Sequence, residues 1–236
     1  MTEEVFKGRV PAHVGIILDG NGRWAEQRGL PRSEGHRAGA ENVVKIARVC
    51  DHLGIKALSL YAFSTENWKR SPDEVAALMK LLILFVRRYL DELMEEGARI
   101  TMMGDPRRLP YPTRQAVAYA IEQSRNNTGL IINIGLNYGG RDEIIRAVHA
   151  YGQEGRSIER LDEAALSAHL DTAALPPLDL IIRTGGEMRL SNFMLWQAAY
   201  AELAFSDYYW PDFDEKELVR LCQAFAHRER RFGGVQ

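Results

Sequence analysis

The stretch His13–Gly39, HVGIILDGNGRWAEQRGLPRSEGHRAG, decides how this chain is read. Val14 to Leu18 is an apolar run that ends in the turn-forming residues Gly20, Asn21 and Gly22, so it predicts a buried strand. Asp19 then stands at the carboxyl end of that strand. Gly20 and Gly22 let backbone N–H groups come close to a ligand, and Arg23, Arg32, His36 and Arg37 add positive charge that a lone aspartate does not need for folding. A diphosphate carried with Mg2+ would satisfy all of them.

Gly20, Gly22 and Ala25 also spell G-x-G-x-x-A, the dinucleotide fingerprint that follows a first strand. That reading requires an acidic residue closing a second strand about 20 positions later. The next strand-like run here is Ala57 to Phe63, which is too late, and Trp24 with two arginines crowds the place of a flat dinucleotide.

Working outward, Ala38 to Leu53 has helical periodicity and stops at Gly54; Ala57 to Phe63 reads as a strand. After the loop STENWKR, Ser71, Pro72 and Glu74 open a helix that runs to about Glu96 and closes at Gly97. Ile100 to Met103, Leu130 to Asn137 and Leu178 to Ile182 look like strands, with helical stretches at Arg114 to Ser124 and Arg141 to Gln153. This alternation predicts an α/β fold: one domain spanning residues 1–236, with a central, mostly parallel β-sheet and helices on both faces. Ligands on such sheets bind outside the carboxyl ends of the strands. That rule gathers Asp19–Arg23, Ser64–Arg70 and Arg183–Gly186 on one rim.

Each rim segment has its own chemistry. RTGGEMRLSNF, residues 183–193, sets Arg183 at a strand end, then two glycines, Arg189 and Ser191 ahead of an apolar run that reads as a helix. Guanidinium forks, a hydroxyl and a helix amino terminus make an anion-binding set, although either arginine alone reads as a solvated surface ion pair. In STENWKR, Trp68 reads equally as a packing aromatic, Glu66 as a solvated acid and Asn67 as a turn former. The helix from Pro72 is apolar at nearly every position from Val75 to Val86, Lys80 excepted. Such a helix is buried or lines an apolar cavity, plain core burial being the commoner case; only if it walls a tunnel, as the resemblance given below implies, is Ala76 or Ala77 expected to face that space.

The 236 residues are 46% hydrophobic and 26% charged, enough for a sizeable core, and a net charge of −2 argues against general nucleic-acid binding. Two cysteines without Cys-x-x-Cys spacing point to a reducing cytoplasm, and no apolar run is long enough for a membrane span. There is no zinc-type His/Cys cluster, no G-x-S-x-G, no Walker loop and no D-D-x-x-D pair.

With these motifs, and with NIGLNYGGRDEI, IIRTGGEMRLSNFMLWQAAYAELAFSDYYWPDF and RERRFGG, the chain resembles the cis-prenyltransferases of the undecaprenyl diphosphate synthase family from His13 to Gly234. The resemblance implies a cytoplasmic homodimer that uses Mg2+ to add isopentenyl diphosphate in Z geometry to an allylic diphosphate, farnesyl diphosphate by default. The product would be a polyprenyl diphosphate, undecaprenyl by default or else shorter or longer, which passes to the membrane as a cell-wall lipid carrier. It makes Asp19 the essential carboxylate and a Mg2+ ligand, with Glu202 a second ligand. Gly20, Asn21, Gly22, Arg23, Trp24, Arg32 and His36 would hold the allylic substrate, and Ser64, Thr65, Glu66, Trp68 and Arg70 would line the reacting ends. Arg183, Arg189, Leu190 and Ser191 would bind isopentenyl diphosphate, and Arg231–Gly233 would reach a neighbouring subunit. Asn67 matches a proton acceptor, but an amide is a poor base and better orients a diphosphate oxygen that takes the proton. Met188 departs from the His or Gln of many relatives, and a thioether is no ligand for a hard cation. A non-catalytic subunit of the same fold should lack Asp19 or the rim arginines, and this chain has them. Because Asp19 faces ligand rather than core, its removal is expected to leave the fold intact.

Overall fold

The computed structural model describes residues 9–227. Six strands build one sheet: β1 (His13–Ile17), β2 (Ala57–Ser64), β3 (Arg99–Met103), β4 (Ile131–Tyr138), β5 (Leu180–Arg183) and β6 (Glu202–Phe205). Their order is β3-β4-β2-β1-β5-β6 and every pairing is parallel. A parallel pair needs a crossover, and helices supply most of them. These are α1 (Asn21–Glu26), α2 (Arg32–His52), α3 (Pro72–Glu95), α4 (Tyr111–Ser124), α5 (Gly140–Gln153), α6 (Glu163–Ser167) and α7 (Glu215–Ala226).

β1 is central because both its faces are apolar. Val14 and Ile16 join Leu58, Leu60, Ile132 and Ile182 in a core shared with α2, α3 and α7. Ile17 and Ile181 point the other way, against Phe193 and Met194. The predicted stops hold: Ser71 accepts from the Glu74 amide at the start of α3, and Gly54 and Gly97 follow α2 and α3 at φ 81° and 78°.

Several expectations change. The glycine turn is in fact a short helix, α1, and α2 begins six residues earlier than Ala38, where Pro31 releases the chain into it. The apolar run after Ser191 is not an α-helix, since Ser191, Asn192 and Met194 all have positive φ and only Gln197–Tyr200 coils, as a 3-10 turn. There is therefore no helix amino terminus behind Ser191. Strand β6 and helix α7 have no counterpart in the sequence reading. No helix among the described residues is long and apolar enough to cross a membrane.

Candidate active site

Asp19 leaves β1 into Gly20, whose φ of 99° suits glycine and whose missing side chain leaves room for the Tyr209 ring, 2.4 Å from where a Cβ would lie. The turn points the Gly20 amide back at Asp19 Oδ1, 2.7 Å away, and Arg23 Nη2 approaches the same oxygen at 3.2 Å. Asp19 Oδ2 accepts from Arg183 Nη2 at 2.8 Å. Burial pushes the Asp19 carboxyl up, but the Arg183 hydrogen bond and charge, the Gly20 amide and Arg23 outweigh it and hold its pKa below the usual value. The group is an anion at neutral pH, with 29% of its side chain exposed.

Arg183 closes β5 with only 5% of its side chain exposed. Its Nη1 donates to Ser191 Oγ at 2.6 Å and to the Arg189 carbonyl, while Nε is buried without a partner. One guanidinium thus ties the β1 carboxylate to the 189–191 loop. Arg189 itself is exposed and paired with Glu187, which also lies 3.7 Å from Arg23. Leu190 packs beside Phe193 and Met194, and Met188 is 76% exposed.

Across the mouth, a capping box fixes the turn after β2: the Ser64 amide donates to Asn67 Oδ1 at 2.9 Å. The Asn67 carbonyl is therefore engaged, and what the residue offers a ligand is its N–H2. Arg70 pairs with Glu74 at 2.8 Å, and His36 Nε2 lies 3.8 Å from Glu74 with no hydrogen-bond partner. Burial, then Arg70, hold the His36 pKa below the ordinary imidazole value despite Glu74, so the ring is neutral.

Asp19, Asn21, His36, Ser64, Glu66, Asn67, Arg70, Arg183 and Ser191 all line one cavity of about 650 Å³. That is the size of a small-molecule site. Its depth is apolar: Ala40 and Val43 of α2, Leu60 of β2, and Leu78, Leu82 and Phe85 of α3. Asn21 also borders this space, and its Oδ1 is buried without a partner against Gly39.

Other expected site residues stand apart from the cavity. Trp24 donates to Asp212 under the Arg28 guanidinium, 4.3 Å from its ring, and Trp68 packs on Phe63 and donates to Asn137 at 2.7 Å. Each indole N–H is already satisfied by protein, so both tryptophans brace the loops behind the site. Arg32 covers Gly22 and pairs with Glu26 at 2.6 Å; Thr65 lies against Gly139. Ala76 and Ala77 are exposed on the outer face of α3, because α3 turns Leu78, Leu82 and Phe85 inward instead. Glu202 starts β6, level with Leu180 and hence with Val14, roughly 15 Å of strand rise from Asp19. Within one chain it does not join Asp19. Arg231–Gly233 lie outside the described residues.

Asn192 escaped the sequence reading and connects the halves of the site. Its Nδ2 donates to Glu66 Oε1 at 3.1 Å, its Oδ1 accepts from the Arg141 amide at 2.9 Å, and its carbonyl accepts from Gly140 at 2.7 Å. A Cβ on Gly139 would strike Asn192 Nδ2 at 2.7 Å. The paired glycines of NYGGRDE, next to a motif already singled out, are the signal that could have found it.

Similarity to known proteins follows this geometry. Residues 17–233 match the family described as "Putative undecaprenyl diphosphate synthase". The chain is 51% identical to an isoprenyl transferase of Bacillus thuringiensis subsp. konkukian, over all of this chain and 93% of that one, and 46% identical to the isoprenyl transferase of Bacillus subtilis, over 99% and 91%. Among solved structures, lavandulyl diphosphate synthase from Lavandula x intermedia, in complex with dimethylallyl diphosphate, superposes with a TM-score of 0.91 at 36% identity, covering 98% of this chain and all of that one. A "probable undecaprenyl diphosphate synthase" from Campylobacter jejuni gives 0.81 at 34%, covering 96% and all of that chain. These matches run the length of the fold and leave no place for the dinucleotide reading: the chain belongs to the undecaprenyl diphosphate synthase family of isoprenyl transferases.

Proposed function

We propose that the protein condenses isopentenyl diphosphate with an allylic diphosphate, farnesyl diphosphate by default, in Z geometry and with Mg2+, to give a polyprenyl diphosphate of the undecaprenyl class. The observation that carries this is one cavity with an apolar depth and a polar mouth, where Asp19, Arg183 and Ser191 face Asn67, Arg70 and His36. An amphiphile with a charged head and a hydrocarbon tail has that shape.

The donor set fits Mg2+. Asp19 is ionised and partly open to the cavity, and no cluster of three acidic, His or Cys residues exists among the described residues to cage an ion by protein alone. Mg2+ is ordinarily held by one or two carboxylates plus substrate phosphates, and Asp19 supplies the first. Bound there, the ion would stabilise the negative charge that grows on a departing diphosphate.

The chain's own groups do the rest. Arg23 and Arg189, both reachable from solvent, exchange their Asp19 and Glu187 partners for diphosphate oxygens. Asn67 donates to a phosphate oxygen and holds it where the isopentenyl proton is released, so that the diphosphate accepts the proton. The apolar walls keep water from the allylic carbon, which favours condensation over hydrolysis. If Glu202 joins Asp19 as a ligand it does so from a second copy of the chain, because the sheet register separates the two within one chain; the proposal is therefore of a homodimer, and its compartment is the cytoplasm.

The test is incubation with farnesyl diphosphate, labelled isopentenyl diphosphate and Mg2+, followed by sizing of the products. Long-chain product that disappears with a chelator is expected. Absence of condensation with any allylic starter would overturn the proposal, and a single-addition product would place the protein with the short-chain synthases.

A further inference from the structure

Glu187 stands between two arginines that come from different parts of the chain. Its Oε1 lies 3.7 Å from Arg23 Nη1 of α1, and its Oε2 accepts from Arg189 Nη1 in its own loop. Backbone contacts fix that loop: the Gly185 amide donates to the Tyr208 carbonyl at 2.7 Å, and the Gly186 amide to the Ser206 carbonyl at 3.0 Å. Gly185 has a φ of 85°, and a Cβ there would lie 2.8 Å from Arg23 Nη2, so only glycine lets the guanidinium come this close. Tyr209 backs Arg23 from the other side, 5.2 Å from its ring centroid, which keeps the cation in place when an acid partner leaves.

Two carboxylates share this rim, and they are held differently. Asp19 is anchored by the Gly20 amide and by the buried Arg183, so it stays in position whatever Arg23 does. Glu187 has no buried anchor: its ion-pair partners among the described residues are Arg23 and Arg189, 40% and 62% exposed, and 34% of its own side chain is in solvent. Exposed ion pairs of this kind contribute little to stability and open readily. A carboxylate seated on two anion-binding guanidinium groups occupies what an incoming diphosphate requires.

We propose that Glu187 is an internal anion that holds Arg23 and Arg189 in the empty site and couples the two diphosphate positions. The inference rests on the proposed function, with Arg23 taking the allylic diphosphate and Arg189 the isopentenyl diphosphate. A diphosphate arriving at Arg23 sets negative charge against Glu187, and the unanchored carboxylate turns into solvent. Arg189 loses its acid partner, so the second diphosphate meets a free guanidinium. The first ligand thus bears the cost of displacing Glu187 and the second binds more tightly, an effect that linkage makes equal in either order.

Calorimetry on the full-length protein in Mg2+ buffer measures isopentenyl diphosphate binding with and without saturating farnesyl thiodiphosphate, whose sulfur-bridged diphosphate is a poor leaving group. In wild type the analogue is expected to tighten isopentenyl diphosphate about threefold, the scale of an exposed ion pair. Glu187→Gln keeps the shape and loses the charge. It should bind isopentenyl diphosphate alone about threefold more tightly than wild type, and the analogue should then add nothing. Glu187→Asp retains the charge and should retain the coupling, and both variants should melt with wild type because the pairs are exposed. Weaker binding by Glu187→Gln overturns the proposal, since it would show that the carboxylate positions the arginines rather than occupying them. Coupling that survives in Glu187→Gln, or is absent from wild type, overturns it as well. Wild type that binds neither diphosphate would remove the proposed function, whereas binding of both with unaltered affinity in Glu187→Gln would remove the role of Glu187 alone.

Discussion

Replacing Asp19 tests both the chemistry and the scaffold. Its carboxylate accepts from the Gly20 amide and from the buried Arg183 guanidinium, whose Nε already lacks a partner. Asp19→Ala would leave that cation with only Ser191 and the Arg189 carbonyl. Breaking a fully buried pair costs about 3–5 kcal/mol; with 29% of the Asp19 side chain in solvent, about 2 kcal/mol is the better figure. For a chain of this size that lowers Tm by about 4–8 °C. The fold should thus stay intact, as the sequence leads one to expect, but melt earlier because of the Arg183 contact. Asp19→Asn keeps an acceptor for Gly20 but turns an N–H2 toward Arg183, so it too should melt early. Turnover should fall at least about 100-fold in both, as when a preorganised charge is removed from a developing anion. The assay pairs thermal unfolding with labelled isopentenyl diphosphate incorporation well below the lowered Tm. Near-normal turnover of Asp19→Asn with Mg2+ present would refute the role, and an unshifted Tm would refute the coupling to Arg183.

Arg189 is exposed and Arg183 buried, so Arg189→Ala should raise KM for isopentenyl diphosphate about 30-fold at constant Tm, whereas Arg183→Ala should lower kcat and Tm together; a rise confined to the allylic KM would mean that the two diphosphate sites are assigned the wrong way round. Asn192→Gly relieves the positive φ of 66° but removes the links to Glu66 and Arg141, so both KM values should rise about tenfold with little change in Tm; an effect on one substrate alone would contradict the bridging role. His36 has a lowered pKa in the folded chain, so the unfolded chain binds its proton more readily; the resulting stability is present above about pH 6.5 and is lost as pH falls through the folded-state pKa. His36→Gln should flatten that part of a pH series of urea midpoints. Leu82→Trp should shorten the products while the first condensation proceeds, and Ala77→Trp, on the outer face of α3, should leave product length unchanged; the reverse pattern would invert the helix's orientation.

What could be read from sequence was whatever depends on local chemistry plus one topological rule. An apolar strand ending in Asp-Gly, another ending in Arg-Thr-Gly-Gly and a Ser-capped turn are local signals, and a parallel sheet puts strand ends on one rim. Asp19, Ser64 and Arg183 converge for that reason. Side-chain direction beyond the rim is not local. Trp24 follows one rim segment directly and Trp68 sits in another, yet their N–H groups turn to Asp212 and Asn137, residues 188 and 69 positions away. FMLWQAAYAEL has the composition of a helix, but Ser191 turns to Arg183 and Asn192 to Glu66, and these contacts hold the chain at positive φ where a first helical turn would form. The phase of α3 was hidden for a related reason. Both a packed core and a hydrocarbon channel require apolar residues, so composition along 75–86 is silent on which side is which. The answer comes from the neighbours: α2 presents small Ala40 and Val43 across from α3, leaving a gap that Leu82 and Phe85 border but do not fill. A cavity is thus specified by the residues that fail to fill it, on an element distant in sequence from the helix that lines it.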